Sequence, residues 1–214
     1  MVLNKFIPIV LIFVVTVASL GLYFVFMPKK YVVSITEPLD DGVVYILRDY
    51  GPEAGYTWGG GEGALVGVAA GGEHNTTSRA LYRFKITEWT KGDITLHLYC
   101  TIVKGTPGKV EVYVVNDFSN LPQNQTEDPH DVSSVWNLVE SGEKIAEPSL
   151  SEGSWFEVKL SSSVVSTYKT STGYLTIMIK LEDETLEGEH YYGLLTYEYA
   201  TKNNMDPPYL TWKE

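Results

Sequence analysis

Few residues in this sequence have the types and spacing that catalysis requires. The four histidines lie in separate segments without HExxH or other metal-ligating spacing, and no GxSxG, P-loop or dinucleotide-binding motif occurs. The single cysteine, Cys100, shares a strand face with Leu96, Leu98 and Ile102, as a core residue does. With 27 Asp and Glu residues, a spatial pair of carboxylates for glycosidic cleavage stays open as an alternative. We expect the protein not to be an enzyme.

Aromatic side chains offer a different chemistry, because their faces stack on the C–H face of a pyranose ring. Trp58, Tyr56 and Tyr50 lie in the turn-rich stretch 49–63, where no strand pattern accounts for them. We predict that these residues form a ligand-binding platform for a polysaccharide, with Trp58 and Tyr56 as its first members. The alternative is that Trp58 packs over the edge of the fold.

Charge is divided unevenly along the chain, whose formal net charge is −11. Residues 1–30 contain three lysines and no acid, so residues 31–214 carry 13 Lys and Arg against 27 Asp and Glu, a formal charge of −14. An acidic surface repels the phosphates of nucleic acids and of anionic lipids, so the overall charge argues against either as a partner, and we expect no nucleic-acid partner. The same surface favours solubility outside a cell.

An apolar segment precedes the acidic part. Residues 6–27 are 22 consecutive residues without a charge, which is long enough to cross about 30 Å of hydrocarbon. We predict a membrane anchor at residues 1–30 that contacts lipid through residues 6–27. A short extended linker or strand at 31–37 and a domain at 38–214 follow it. The alternative is a secretory signal cleaved at Ala18-Ser19, which would give a secreted protein.

The orientation of the chain is indicated by two N-glycosylation sequons. Asn75 and Asn124 begin N-x-[ST] sequences in polar stretches of the acidic part, and such acceptors lie on surfaces of secreted or exported domains. We therefore predict a single-pass protein at the cell surface, with its C-terminal domain outside.

Strand patterns dominate the sequence after the apolar segment. Segments rich in Val, Ile, Thr, Tyr and Trp alternate with period two and are separated by turn sequences such as KGD and GTPGK. Only residues 161–168 are typical of a helix. Half-buried strands without amphipathic helices between them predict an all-β sandwich or barrel. The predicted strands are residues 31–36, 43–47, 64–70, 79–86, 93–103, 109–115, 154–160, 172–182, 190–200 and 208–213.

The strand RALYRFKI at 79–86 shows the alternation clearly. Its apolar side chains occupy even positions, and its three cations occupy odd positions. We predict that Arg79 and Arg83 form structural ion pairs with acids such as Glu198, because the planar guanidinium binds a carboxylate through two hydrogen bonds. The residues predicted to be buried together are Phe84, Leu96, Leu98, Cys100, Ile102, Trp155, Ile177 and Ile179.

Several loose motifs follow one another in the order of a known family. They are a leading Asp, an "sRaLLrF" strand, a strand that begins with Trp, a Glu in the penultimate strand and a "P-x-L" ending. The residues that carry them are Asp41, Arg79, Leu81, Trp155, Glu198, Pro208 and Leu210. With this order, roughly residues 38–213 resemble the DNRLRE and disaggregatase-related domains. Two features depart from the pattern: the Asn expected after the first strand has no counterpart, and Thr196-Tyr197 stands where a second Arg is expected.

The resemblance implies a two-sheet antiparallel jelly-roll-like sandwich, similar to carbohydrate-binding modules and preceded here by one N-terminal transmembrane or signal helix. Family domains sometimes hold a structural cation near the first strand. Asp40, Asp41 and Asp49 would then supply the hard oxygen ligands that Ca²⁺ prefers.

Two functions fit these observations. One is a non-catalytic, membrane-anchored surface module that binds glycan or matrix. The alternative is a structural subunit of an extracellular filament or cell envelope, assembled with like subunits. In such a filament, residues 31–35 would add as a strand to the sheet edge of the next subunit.

Overall fold

The structure is a computed structural model that describes residues 29–37, 40–59, 61, 63–71, 74–118 and 129–213. Residues 6–27, which carry the predicted anchor, and the sequon residue Asn124 lie outside this part. Among the described residues, no helix is long and apolar enough to cross a membrane.

The fold is mainly antiparallel β-sheet, as the period-two patterns predict. Strand accounts for 52% of the structure and helix for 13%. The strands are β1 (Lys30–Ser34), β2 (Asp41–Leu47), β3 (Gly51–Gly59), β4 (Ala64–Gly71), β5 (His74–Lys85), β6 (Ile94–Lys104), β7 (Val110–Val115), β8 (Glu143–Ala146), β9 (Ser154–Leu160), β10 (Tyr174–Leu181), β11 (His190–Leu194) and β12 (Tyr209–Lys213). The helices are α1 (Ser133–Trp136), a 3-10 helix (Asn137–Glu140), α2 (Ser162–Tyr168) and α3 (Tyr197–Asn203).

These twelve strands are hydrogen-bonded into one curled sheet. Its path runs β1-β12-β6-β11-β4-β5-β10-β7-β8, with β2, β3 and β9 attached at the sides. The curl depends on two long strands that each have three partners. Strand β5 pairs with β2, β4 and β10, and β6 pairs with β9, β11 and β12. The β4–β11 pair joins these two regions of the sheet.

A glycine permits the close approach at this junction. Gly67 of β4 has φ +142°, and a Cβ atom there would overlap the backbone carbonyl of His190. Only a residue without a side chain fits such a conformation and contact.

The main hydrophobic core lies on the inner side of the curl. The apolar even-numbered residues of β5 and β6, except Ile102, point into it and are fully buried, which confirms the predicted phase of both strands. Its largest fully buried side chains include Ile35, Tyr82, Phe84, Ile86, Ile94, Leu96, Leu98, Leu160, Leu175 and Ile177.

Two of the eight residues predicted to be buried together are instead exposed. Trp155 is 39% exposed and Ile102 is 41% exposed. In β9, Phe156, Val158 and Leu160 take the inward positions, so the alternation turns Trp155 to the opposite face. Ile102 lies beside the irregular pairing at Gly193 and Leu194, where the register with β11 shifts.

A second, smaller core covers the outer face of β2, β5, β7 and β10. It forms under α1 and the 3-10 helix, where Trp136 is buried. The Arg79 guanidinium lies 3.7 Å from the centre of the Trp136 ring, donates to the Trp136 carbonyl at 2.6 Å and binds both carboxylate oxygens of Glu184 at 2.9 and 2.7 Å. The stretch predicted as a loop around Trp136 is thus partly helical and is fastened by Arg79.

Arg83 forms a second pair of the same kind on this face. It binds both carboxylate oxygens of Asp117 at 2.7 and 2.9 Å and stacks over the Tyr174 ring at 3.6 Å. The structural ion pairs predicted for Arg79 and Arg83 are therefore present, but Glu198 is not their partner. Glu198 lies in the first turn of α3, and its carboxyl group interacts with Asp41 instead.

The helical prediction at 161–168 is confirmed by α2, whose N-cap Ser161 accepts from the backbone N–H of Val164 at 3.4 Å. The strand predicted at 190–200 is wrong in its second half. Strand β11 ends at Leu194, and α3 begins after Thr196, whose side chain accepts from the Tyr199 N–H. Strands β3 and β8 were not predicted.

We expect Arg79→Ala to lower the free energy of unfolding by about 3 kcal/mol, because it leaves the Glu184 carboxylate partly buried without its partner. The matched control is Lys104→Ala, which removes an exposed ion pair with Glu189 and should cost less than about 1 kcal/mol. Urea unfolding of the two variants measures the difference. Equal losses would show that Arg79 does not fasten the outer layer.

Candidate functional site

Four aromatic side chains form a continuous surface on the outer side of β6, β9 and β12. They are His97 and Tyr99 of β6, Trp155 of β9 and Tyr209 of β12, and we name this surface the aromatic face. It lies on the side of the sheet opposite the main core, because the alternate residues of the same strands are buried.

Strand register determines which rings meet. Tyr209 is the direct partner of His97 across the β6–β12 pair, and Trp155 is the partner of Tyr99 across the β6–β9 pair. Directly opposite residues in antiparallel strands have Cβ atoms about 5 Å apart on the same face. The backbone ladder therefore brings the four rings together without a loop.

The rings contact one another in sequence. His97 stacks on Tyr209 with centroids 4.3 Å apart and planes 11° apart. Trp155 meets Tyr209 at 5.5 Å with a tilt of 59°, and Tyr99 meets the edge of Trp155 at 5.5 Å and 62°. These are favourable offset-stacked and edge-to-face geometries, so each ring restricts the movement of the next.

His97 is held by hydrogen bonds at both ring nitrogens. Its Nδ1 lies 3.2 Å from the Glu157 carboxylate, and its Nε2 lies 3.0 Å from the Thr211 hydroxyl. Burial lowers the pKa of His97, while the neighbouring Glu157 acts in the opposite direction. The imidazole is therefore neutral at pH 7 and serves as a flat supporting ring for Tyr209.

The exposed part of the aromatic face combines apolar and polar groups. Trp155 contributes the largest exposed ring, and the Glu157 side chain beside it is 66% exposed. Thr95 and Thr211 continue the same face in the next row of residues. Rigid rings beside hydroxyl and carboxylate groups suit a ligand that has both C–H faces and hydroxyls.

The structure keeps Trp58 and Tyr56 of the predicted platform on one face of a strand and separates Tyr50 from them. Tyr56 stacks on Tyr45 at 5.0 Å in the β2–β3 hairpin, whereas Tyr50 is 58% exposed and meets the edge of His74 at 5.5 Å. Trp58 is 40% exposed and lines a groove of about 200 Å³ with Val43, Tyr45, Gly63, Leu65, Ala69, Thr76 and Ser78. Trp58 and Tyr56 share a face of β3, which is a strand and not the predicted turn-rich stretch.

The three carboxylates predicted as calcium ligands have different partners. Asp40 lies 3.8 Å from Arg83, and Asp49 lies 3.5 Å from His74. Asp41 is fully buried and accepts from the Tyr197 N–H at 2.7 Å. In the part of the chain that the structure describes, no three His, Cys, Asp or Glu side chains converge as a metal site would require. The calcium site stays a prediction.

Asp41 instead meets Glu198, which the family resemblance also singled out. Asp41 opens β2, Glu198 lies in the first turn of α3, and their carboxyl groups are within hydrogen-bonding reach. Asp41 Oδ1 and both carboxylate oxygens of Glu198 are buried, and no other described group donates to them. Three buried acceptors in contact require a proton between them.

The two pKa values agree with a shared proton. Burial raises the pKa of Asp41 well above its usual value, and the Glu198 carboxylate raises it further. Burial also raises the pKa of Glu198, while the hydrogen bond from Asp41 acts in the opposite direction. We assign the proton to Asp41 Oδ1, which donates to Glu198, because Oδ2 already accepts from Tyr197.

The remaining predicted positions have simple environments. Asn75 is exposed at the start of β5, as a glycosylated residue must be, and Asn124 lies outside the described residues. Cys100 is buried, and burial raises the pKa of its thiol to about 11. At neutral pH this thiol is protonated, which is the state of a core residue and not of a nucleophile.

Sequence reasoning missed the aromatic face as a site. The sequence signal for it was the phase of two strands. In SWFEVKL, Trp155 is in phase with Glu157 and Lys159, and in TLHLYCT, His97 is in phase with Tyr99. An aromatic residue in phase with charges is exposed. The cross-strand neighbours themselves follow only from the register.

Comparison of the sequence with protein-family models and with curated proteins finds no match. The resemblance to the DNRLRE and disaggregatase-related domains therefore stays a prediction.

We expect the Asp41–Glu198 pair to make stability fall as pH rises. A carboxyl group whose pKa is raised by folding stabilises the protein fully below its unfolded pKa of about 4, and this contribution is lost as pH rises toward the folded pKa. Within that window each pH unit costs up to about 1.4 kcal/mol. The Asn side chain of Asp41→Asn can still donate to Glu198 and accept from Tyr197, but it does not titrate. The stability of this variant should therefore fall less with rising pH than that of the wild-type protein.

Urea unfolding of the wild-type protein and of Asp41→Asn at pH 4.5, 6 and 7.5 measures this difference. Asp49→Asn is the matched control, because the Asp49 side chain is 69% exposed, and this variant should follow the wild-type protein at every pH. Parallel pH curves for the wild-type protein and Asp41→Asn would contradict the shared proton.

Proposed function

We propose that this protein is a non-catalytic, membrane-anchored module of the cell surface that binds glycan through the aromatic face. The observation that carries the proposal is the set of four rings in mutual contact, backed by three paired strands and ending in the exposed Trp155. An exposed aromatic surface of this kind is a binding feature, because soluble proteins rarely leave contiguous apolar surface without a partner.

Polysaccharide fits this surface better than an apolar ligand. The rings of Trp155 and Tyr209 present C–H-binding faces, while Glu157 and Thr211 offer hydrogen-bonding groups for sugar hydroxyls. A site on paired strands also needs little ordering on binding, since backbone pairing already holds its side chains. The Trp58 groove is a smaller site, with mainly apolar walls.

A binding function is favoured over glycosidic cleavage by the carboxyl groups. Asp41 and Glu198 are in contact and buried, whereas glycosidases hold their two carboxyl groups roughly 5–9.5 Å apart across an accessible cleft. At the aromatic face, Glu157 is engaged with His97.

The membrane anchor is part of the proposal. The 22 uncharged residues at 6–27 are followed after two residues by Lys30, with which β1 begins. The connection between a helix in the bilayer and the folded sheet is therefore very short. We place the β-domain outside the cell, with a jelly-roll-like arrangement of its strands. The meeting of Asp41 and Glu198, two of the residues that match the family pattern, supports that arrangement.

The filament alternative receives less support. Residues 30–34 pair with β12 of the same chain, Tyr31 stacks on Trp212 at 5.0 Å, and Ile35 is 1% exposed. This segment would have to leave its own sheet before it could join that of another subunit. We therefore favour the glycan-binding module over the filament subunit.

We expect Trp155→Ala to weaken binding to a polysaccharide about tenfold or more, which is typical of losing a central aromatic residue. Full-length protein in detergent is screened by affinity electrophoresis against neutral and acidic polysaccharides. Trp58→Ala is the matched control, because it removes a tryptophan of equal exposure from the groove. Trp155→Phe should recover part of the binding.

A loss of binding with Trp58→Ala, and none with Trp155→Ala, would move the site to the groove. A wild-type protein that binds no polysaccharide in the screen would refute the proposed function.

The anchor predicts a characteristic fragment. Protease added to intact cells should release a soluble fragment that begins near residue 30, while residues 6–27 stay with the membrane. N-terminal sequencing of the released fragment and of the native protein checks this. A native N-terminus at Ser19 or Leu20, with the protein in the medium, would show a cleaved signal instead.

A further inference from the structure

Four lysines lie together at one end of an otherwise acidic molecule. We name Lys30, Lys91, Lys159 and Lys213 the basic end. The start of β1, the end of β9, the end of β12 and the loop before β6 meet there, because neighbouring strands are antiparallel. All four side chains belong to exposed residues.

Strand pairing defines the geometry of this end. Lys30 is directly opposite Lys213, and Lys159 is directly opposite Thr95. A Cβ atom at Gly92 would lie 3.1 Å from the Lys213 carbonyl oxygen. Lys91, the residue before Gly92, is therefore close to Lys213. A shallow cavity of about 310 Å³ opens between the strands and is lined by Lys30, Asp93, Thr95, Lys159, Thr211, Trp212 and Lys213.

The nearest acid, Asp93, offsets only the charge of Lys159. The Asp93 carboxylate binds Lys159 at 2.9 Å and accepts from the Ser162 N–H at 3.0 Å, so it is already committed within the fold. Among the described residues, no carboxylate lies within ion-pair distance of Lys30 or Lys213. Lys30 and Lys213, beside Thr95 and Thr211, therefore leave a net positive charge at this cavity, and such a charge attracts anions.

The position of this surface along the chain indicates its partner. Lys30 is only three residues beyond Met27, the last residue of the apolar segment. Three residues reach at most about 10 Å. A bilayer that holds residues 6–27 therefore lies within roughly that distance of the basic end, while the acidic remainder of the domain extends away from it.

We propose that the basic end docks on anionic lipid headgroups where the chain leaves the membrane. The proposal rests on the anchoring part of the proposed function, but not on glycan binding. Juxtamembrane lysines are attracted to an anionic lipid surface over about one Debye length, near 8 Å at physiological ionic strength. The lipid phosphates provide the negative charges that Lys30 and Lys213 lack within the described part of the protein.

Docking would also determine the distance of the aromatic face from the membrane surface. Trp155 lies four residues before Lys159 on β9, which is about 13 Å along a strand. With Lys159 at the headgroups, Trp155 stands clear of the lipid and faces sideways, parallel to the membrane plane. Both surfaces can then be occupied at once.

The test uses the full-length protein in nanodiscs of phosphatidylcholine alone or with phosphatidylglycerol. Amine-reactive labelling followed by mass spectrometry measures the modification rate of each lysine. In anionic discs we expect the rates at Lys91, Lys159 and Lys213 to fall about fivefold, and to recover in 0.5 M NaCl. Lys104, at the opposite end of β6, should react equally in both discs.

A double variant, Lys159→Gln with Lys213→Gln, removes half of the basic end. In anionic discs it should restore the labelling rate of Lys91 to its value in phosphatidylcholine. The matched variant Lys104→Gln should leave the protection of Lys91 intact. Both variants change exposed lysines, so the fold is retained.

Three outcomes would overturn the docking. Equal labelling rates in both lipids would exclude an interaction with anionic headgroups. Protection by soluble polygalacturonate in neutral discs, without protection by anionic lipid, would assign the basic end to an acidic polysaccharide. A chain that does not co-purify with either disc would overturn the anchor as well, which separates that failure from a failure of docking alone.

Discussion

The burial of alternate residues in β6 is the constraint on which the candidate site depends. Leu96, Leu98 and Cys100 must face the core, and this forces His97 and Tyr99 to the opposite face. Neighbouring strands are fixed in register against the same core, so Tyr209 and Trp155 arrive beside them. A slip of one residue in β9 would exchange Trp155 with Phe156 and bury Lys159. The hydrophobic core therefore determines the composition of the outer surface.

Polar groups inside the fold are stabilised in two different ways. The Arg79 guanidinium, in a nearly dry site, donates hydrogen bonds to Glu184 and the Trp136 carbonyl. Among the described residues no cation pairs with Asp41 or Glu198, and these two carboxyl groups remain together by retaining a proton. The first arrangement fastens a covering layer to the sheet, and the second connects β2 to α3. Both place polar groups where only one partner geometry satisfies them.

The positions of most strands along the chain could be predicted from the sequence, because apolar and polar residues must alternate in a half-buried strand. Strand β3 was missed because glycines replace many of the side chains that would show the pattern. Gly55 is required there, since a Cβ atom would overlap the Tyr45 carbonyl and Val132. Helix α3 was missed because Tyr197 and Tyr199 imitate a strand, although Thr196 and Asn204 are typical helix caps.

The candidate site was harder to predict, because its residues meet only through long-range pairing. Thr211, which contacts His97, is 114 residues from it in sequence, and no local pattern selects this partner. Trp155 was predicted to lie in the core, although the phase of its strand points outward. The neighbours of Trp155 depend on register, which becomes known only when the whole sheet is assembled.

The pairing of β1 also has a mechanical consequence. Five residues of β1 pair with β12, from Lys30 opposite Lys213 to Ser34 opposite Tyr209. If the proposed anchor holds the chain before Lys30, a load on the neighbouring rings would pull against it along the strand axis. Such a force would shear the whole ladder at once, whereas a pull across the strand would open its hydrogen bonds one after another. The strand nearest the N-terminus is thus oriented to bear tension.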